Sequence, residues 1–291
     1  MIRIHAIQTG TVRIKTSQHI GRGQGVQRLL NVLTDKEWVG PVPIYAWVIE
    51  HPEGLIVVDT GETARTAEKS YFPRWHPFFR LSASLSVCPD DEIGPQLCRL
   101  GIAPRDVRWV VLTHPHTDHA GGLAHFPASE ILIARGEYQA ARGIAGRIQG
   151  YLPNRWPTWL QPRLIDFTHQ AVGPFTASLP LTRSQDIILL STPGHTPHHL
   201  SVLVRDGDLS YILAGDTSYT EHLMLKQVAD GVSPNPAIAR QTLSQLRSYA
   251  QSIPTIYLPS HDPDSAKRLA AHTTVSFSQQ SSCHSSDRGV I

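Results

Sequence analysis

The chain has 291 residues, 41% of them hydrophobic, which suits one large α/β domain or two small ones with a substantial buried core. Lys plus Arg numbers 26 and Asp plus Glu 24, a formal net charge of +2 with no basic run, so neither a nucleic acid nor an anionic membrane is an expected partner. Cys88, Cys98 and Cys283 form no Cys-x-x-Cys pair, which argues against a disulfide scaffold or a zinc ribbon.

Ile2 to Ile14 alternates apolar and polar residues and predicts paired strands around a turn at Thr9 and Gly10. It has neither the apolar stretch of a secretory signal nor that of a membrane span, so cytoplasmic residence is expected. Gln18 to Gln27, with Gly21, Gly23 and Gly25, reads as a loop. It lacks the strand–turn–helix context that a phosphate-binding glycine motif needs. Ile44–Glu50 and Leu55–Asp59 predict two strands joined by the turn His51-Pro52-Glu53-Gly54. Tyr71–Leu81 is aromatic, broken by proline and irregular. Asp90 and Asp91 are placed to cap a helix running to Leu100 and ended by Gly101.

Val107–Leu112 and Ile131–Ala134 are short apolar runs typical of buried strands, and a helix starts at Glu137. Residues 144–162 carry Trp156, Trp159 and several prolines, which suggests an inserted lobe or lid. Ile187–Leu190, Leu200–Val204 and Leu209–Leu213 are strands, and Pro236–Gln251 has helical spacing. Ile256–Leu258 is a last strand, with a helix over Pro263–His272. The Ser- and Gln-rich tail, residues 276–291, is expected to be disordered, which leaves one domain over residues 1–275. Two packed sheets with helices outside fit this order.

The strongest chemical signal is Thr113-His114-Pro115-His116-Thr117-Asp118-His119-Ala120-Gly121-Gly122, directly after an apolar strand. Four potential ligands fall within six residues, and imidazole nitrogen with carboxylate oxygen suits zinc and similar divalent metals. A turn at a strand end can aim His114 and His116 at one ion, and Asp118 and His119 at a second. Read as an isolated His-x-His pair the segment could be a solvated loop, but the full pattern behind a buried strand is far rarer. Three more candidates also stand at strand ends: His195 in Thr192-Pro193-Gly194-His195, Asp216 in Ala214-Gly215-Asp216, and His261 in Pro259-Ser260-His261. The two carboxylate oxygens of Asp216 would let it bridge. Asp59, at the end of Val57-Val58-Asp59, fits either a turn-forming residue or an acceptor that orients a ligand histidine.

These residues, in this order, resemble the metallo-β-lactamase superfamily across nearly the whole chain. The resemblance implies an αββα sandwich with the site at the edge of two mixed sheets. Within the superfamily the chain looks most like the N-acyl-homoserine lactonases, on three further features. They are Tyr219 three residues after Asp216, the segment Ala134-Arg135-Gly136-Glu137-Tyr138-Gln139-Ala140-Ala141, and the stretch from Pro43 to Gly61. The added length near Tyr71–Val87 and residues 144–162 would reshape the substrate pocket.

The resemblance implies that His114, His116 and His195 bind one metal, and that Asp118, His119 and His261 bind the other. Asp216 bridges them, zinc is the default, and iron, cobalt or manganese is acceptable to the same ligands. A metal-bridging hydroxide would attack the lactone carbonyl, with Tyr219 stabilising the developing oxyanion and Asp118 passing a proton to the leaving oxygen. The partner is then a small-molecule lactone, and a homodimer is allowed. Trp38, Phe72, Trp75, Phe78, Phe79, Trp156 and Trp159 are candidates for an acyl groove, while His198 and His199 read as supports. The alternatives are another ester or thioester hydrolase, an organophosphate hydrolase, a nuclease, a redox di-iron protein, or a binding module that keeps only the fold. Balanced charge weighs against the nuclease. His116 stands where the di-iron proteins place Glu, which weighs against redox chemistry.

Overall fold

The computed structural model describes residues 2–277. Among these residues, twelve strands form two sheets. The first sheet holds β1 (Arg3–Lys15), β2 (Trp38–Glu50), β3 (Leu55–Val58), β4 (Ala83–Ser86), β5 (Val107–Val111), β6 (Glu130–Ala134) and β7 (Arg163–Ile165), in the order β4-β1-β2-β3-β5-β6-β7. The second holds β8 (Ser178–Pro180), β9 (Ile187–Ser191), β10 (Leu200–Asp206), β11 (Leu209–Gly215) and β12 (Thr255–Pro259), in the order β12-β11-β10-β9-β8. Both are mixed, since β3, β5, β6 and β7 run parallel, as do β11 and β12, among antiparallel neighbours.

The central strands read as unbroken apolar runs because both of their faces are covered. On β2, Tyr45, Trp47 and Ile49 point between the sheets, where they meet Ile187, Leu189, Val202 and Leu213. Ala46 and Val48, on the opposite face, pack under Ile93 and Leu97 of the helix Ile93–Arg99. On the outer face of the second sheet, the helix Pro236–Ser252 buries Leu243, Leu246 and Tyr249 at helical spacing. It starts where Asn235 caps the backbone N–H groups of Ala237 and Ile238, with Pro236 at its first position. The layers are therefore αββα, as expected. Trp47 is fully buried between the sheets, and its truncation to alanine would cost about 3–5 kcal/mol.

Several local expectations are corrected. Ile2 to Ile14 is not a hairpin: one strand runs through Thr9 and Gly10, and its register against β2 slips between Gln8 and Thr11. Gly10 marks a bulge, because a side chain there would strike the Ser86 carbonyl and Val87. Within Gln18 to Gln27, the first residues belong to a helical turn, Thr16–His19, and the last two begin a helix, Val26–Thr34. Tyr71–Leu81 closes with a short helix, Pro77–Leu81. Asp90 and Asp91 lie in a 3-10 turn before the helix rather than capping it, and Gly101 follows with φ 78°. The terminal helix is shorter than expected, Ser265–Ala270. Phe277 packs on the outer core of the second sheet, so it belongs with the domain, while the expected disorder of residues 278–291 lies outside the described residues.

Candidate metal centre

The ends of β5, β9, β11 and β12 meet at one edge of the sandwich. Backbone bonds hold the two sheets together there: Leu200 N–H donates to Thr113 O at 3.0 Å, and Tyr45 N–H donates to Ser260 O at 2.9 Å. Every ligand predicted from sequence leaves a strand end or the turn directly behind it, and the structure brings all seven together. Three groups have ligand atoms mutually within 4.8 Å: His114, His116 and His195; His114, His119 and Asp216; Asp118, His119 and His261.

The nitrogens face one another closely. His116 Nδ1 lies 2.9 Å from His114 Nε2 and 3.2 Å from His195 Nε2. Lone pairs aimed at each other over such distances repel unless a cation lies between them. Asp216 faces both halves of the cluster. Its Oδ1 is 3.3 Å from His119 Nε2 and 3.4 Å from His261 Nε2, and its Oδ2 is 3.5 Å from His195 Nε2. Asp118 completes the second half, with Oδ2 3.5 Å from His261 Nε2. His119 Nε2 and Asp216 Oδ1 are buried and lack a hydrogen-bond partner, a costly state that a bound cation would relieve. The donor set therefore fits two divalent ions.

The outward nitrogens are held just as firmly. His119 Nδ1 donates to Asp59 Oδ2 at 2.8 Å, and Asp59 also accepts the Thr113 N–H and hydroxyl, both at 2.8 Å. Thr113 Oγ1 in turn accepts from His114 Nδ1 at 3.1 Å. His195 Nδ1 donates to Asp230 Oδ2 at 3.0 Å, and His261 Nδ1 to Pro43 O at 2.8 Å. These bonds fix the tautomer that turns the free nitrogen inward. Asp59 fills both roles offered for it, since it orients His119 and sits in a left-handed turn at φ 58°.

Charge in the cluster follows burial and carboxylate contact. Burial, reinforced by neighbouring imidazoles, lowers His114 well below its usual range and brings His116 to about 3. Burial also opposes protonation of His119, but Asp216, Asp59 and Asp118 outweigh it and raise that imidazole. His195 is raised against burial by Asp230, and His261 by Asp216. Burial would raise Asp216, yet His261 and His119 hold it well below the usual carboxylate range. The cluster thus contains both neutral ligands and protons that a metal would displace.

Sequence reasoning missed two supports. Asp230 lies in a loop with no strand before it, and Asp230-Gly231 reads as an ordinary turn. Its Oδ1 accepts the Val232 and Ser233 N–H groups, which locks the carboxylate against His195. Gln18, in the glycine-rich stretch, donates from Nε2 to Tyr219 Oη at 2.9 Å. Gly231 docks that stretch, since a side chain there would strike Ser17 O and Gln18 Cα, and its N–H donates to Gln18 O at 2.7 Å. His199 supports as expected: its Nε2 accepts the Asp216 N–H at 3.2 Å, its Nδ1 bonds Thr192 Oγ1, and burial brings it to about 3. The backbone of His198 donates to Glu137.

Above the cluster opens a cavity of about 460 Å³. His116, Asp118, His195, Asp216, Tyr219 and His261 form its floor, and Val12, Ile14, Leu29, Phe78, Phe79 and Leu85 its apolar walls. Of the aromatic residues considered for an acyl groove, Phe78 and Phe79 line it. Trp38, Phe72, Trp75, Trp156 and Trp159 do not. Lys15 covers the Trp38 ring, Trp156 stacks on Tyr138, and Trp75 is exposed.

An αββα sandwich with clustered histidines and aspartates at its edge defines a class of metal-dependent hydrolases. The chain belongs to the metallo-beta-lactamase superfamily, whose family model matches residues 39–261. It is similar to N-acyl homoserine lactonase AttM of Rhizobium radiobacter, 28% identical over 90% of this chain and 94% of that protein. It is also similar to N-acyl homoserine lactonase AiiA of Bacillus thuringiensis subsp. kurstaki, 27% identical over 78% of this chain and 84% of that one. Among solved structures, an N-acyl homoserine lactone hydrolase with the product N-hexanoyl-L-homoserine at its catalytic metal centre superposes with a TM-score of 0.71. At 22% identity over 91% of this chain and 94% of the other, it shows a shared fold. Among the described residues, no helix is long and apolar enough to cross a membrane.

Proposed function

We propose that this protein is a metal-dependent hydrolase that opens the lactone ring of N-acyl homoserine lactones. One observation carries the reading: Asp216 faces two histidine sets with opposite oxygens at the floor of an apolar cavity. An amphipathic ester, with a polar ring and an alkyl chain, suits a polar floor beneath apolar walls. The names borne by AttM and AiiA support the same substrate class.

In this reading His114, His116 and His195 would hold one divalent cation and Asp118, His119 and His261 the other, with Asp216 available to both. Zinc is the expected ion. Such ions supply Lewis acidity and lower the pKa of water from 15.7 towards about 7. The chain's own residues do the remaining work. Gln18 gives an N–H to the Tyr219 oxygen, which leaves the phenolic proton free to point at a substrate carbonyl. Burial and the charge of Asp216 raise the Tyr219 pKa well above its usual value, so it stays a donor. Asp118, whose side chain is 20% exposed at the cavity floor, would take the proton given up by the attacking water and pass it to the ring oxygen as it leaves. Phe78, Phe79 and Leu85 shield the acyl chain from water.

The test is acid release from short- and long-chain acyl homoserine lactones, alongside a thioester, an aryl ester and a phosphotriester, with and without chelator. Lactone turnover that chelator abolishes is expected. Preference for the thioester or the phosphotriester would move the protein to another hydrolase on the same platform.

A further inference from the structure

The near-neutral total charge conceals a strong segregation. Three segments, 18–34, 69–89 and 138–165, contain nine Arg or Lys residues and not one Asp or Glu; of the nine, Arg28 is buried and Arg163 pairs with Glu130. The fold brings all three to the mouth of the cavity, where Val26 and Leu29, Phe78 and Phe79, and Ile148 share its lining. They are also tied to each other: Ser82 Oγ donates to Val32 O at 3.1 Å, and His76 Nε2 donates to Ile148 O at 3.0 Å.

This rim exposes large apolar side chains that a water-facing surface does not need. Val26 is 76% exposed, Trp75 62%, Ile144 84% and Ile148 62%. Leu30 and Leu81 are also exposed. Exposed arginines stand beside them in sequence: Arg74 before Trp75, Arg80 before Leu81, and Arg147 before Ile148. A contiguous apolar patch on a protein surface marks a partner. Apolar side chains with an exposed tryptophan, framed by arginines and free of carboxylates, match the interfacial zone of an anionic bilayer.

We infer that this rim docks on an anionic lipid surface, with the cavity mouth turned towards the bilayer. The two plausible occupants are separated by charge. A symmetric dimer through this face would set the exposed Arg74, Arg80 and Arg147 against their own copies, whereas a layer of anionic headgroups offsets all three. Each arginine close to such a surface strengthens partition by about fivefold. Docking itself needs no metal and no particular substrate. Under the lactonase reading it would also let a long acyl chain pass from the lipid into the cavity without crossing water.

The metal-loaded protein is tested by co-sedimentation with vesicles of phosphatidylcholine alone and of an equal mixture of phosphatidylcholine and phosphatidylglycerol. Strong partition to the mixed vesicles, weaker partition to the neutral ones, and loss of the difference in high salt are expected. Trp75→Glu and Ile144→Glu lie outside the cavity lining and should lower partition about tenfold or more. Leu100→Glu, just after the helix Ile93–Arg99 and outside the cavity lining, should leave it unchanged. Unchanged melting temperatures would show that all three variants fold. No difference between the vesicles, or partition indifferent to Trp75 and Ile144, would overturn the inference. So would a dimer that those substitutions dissociate in a protein that ignores lipid. Because the readout is lipid binding, a failed lactone assay leaves this result standing, and the reverse also holds.

Discussion

The floor and the rim of the cavity are built in opposite ways. At the floor, each ligand follows a strand whose ladder is paired on one or both sides. His114, His119, His195 and His261 each use the outward nitrogen on a fixed acceptor. At the rim, the helices Val26–Thr34, Pro77–Leu81 and Ile144–Ile148 span only five to nine residues and expose much of their apolar surface. Ligand geometry must hold to fractions of an ångström, so it is placed where backbone hydrogen bonds fix it. Under the proposed readings, selection among acyl chains or surfaces tolerates adjustment and falls to short elements with few contacts. Substitutions at the floor should therefore remove chemistry, and those at the rim should change what is accepted.

The largest effect is expected at His116, whose nitrogen lies between those of His114 and His195. His116→Ala should abolish turnover and lower bound metal from two equivalents. Full metal content by elemental analysis would show that His116 is no ligand. Tyr219→Phe should lower kcat by roughly a hundredfold to a thousandfold with metal content intact, the range for one transition-state donor. An unchanged kcat would remove Tyr219 from the mechanism. Next in size, Asp230→Asn leaves the ligands in place but weakens the acceptor that orients His195. Metal affinity should fall about 10- to 100-fold, measured by competition with a chelating dye. An affinity equal to wild type would make Asp230 a loop support only.

The same contrast explains what was legible in the sequence. The seven candidate ligands stood out because a strand followed by His or Asp is a pattern that survives without neighbours. The layered fold was legible because doubly covered strands read as apolar runs. Asp59 and Asp230 could not be told from turn residues, since their role depends on which histidine the fold brings beside them. Thr9-Gly10 has the composition of a hairpin turn, and only the approach of β4 turns it into a bulge. The short edge strands β4, β7 and β8 have three or four residues each and were not predicted. The helix Val26–Thr34 hides behind three glycines. Its charge, like that of the other rim segments, is lost when the chain is summed to +2.

The smallest effect sharpens the comparison most. Phe79 lines the cavity wall and stacks on Phe72, with ring centroids 4.6 Å apart, but it touches none of the seven ligands. Under the lactonase reading, removing its ring takes away apolar contact area for a long acyl chain. Area lost to the alkyl chain alone is binding that ground state and transition state share, so it should appear in KM and not in kcat. Phe79→Ala should raise KM for a decanoyl lactone about tenfold, while KM for a butanoyl lactone stays within about twofold. A matching fall in kcat for both chain lengths would mean that the rim also shapes the floor, and the division of labour between them would have to be abandoned.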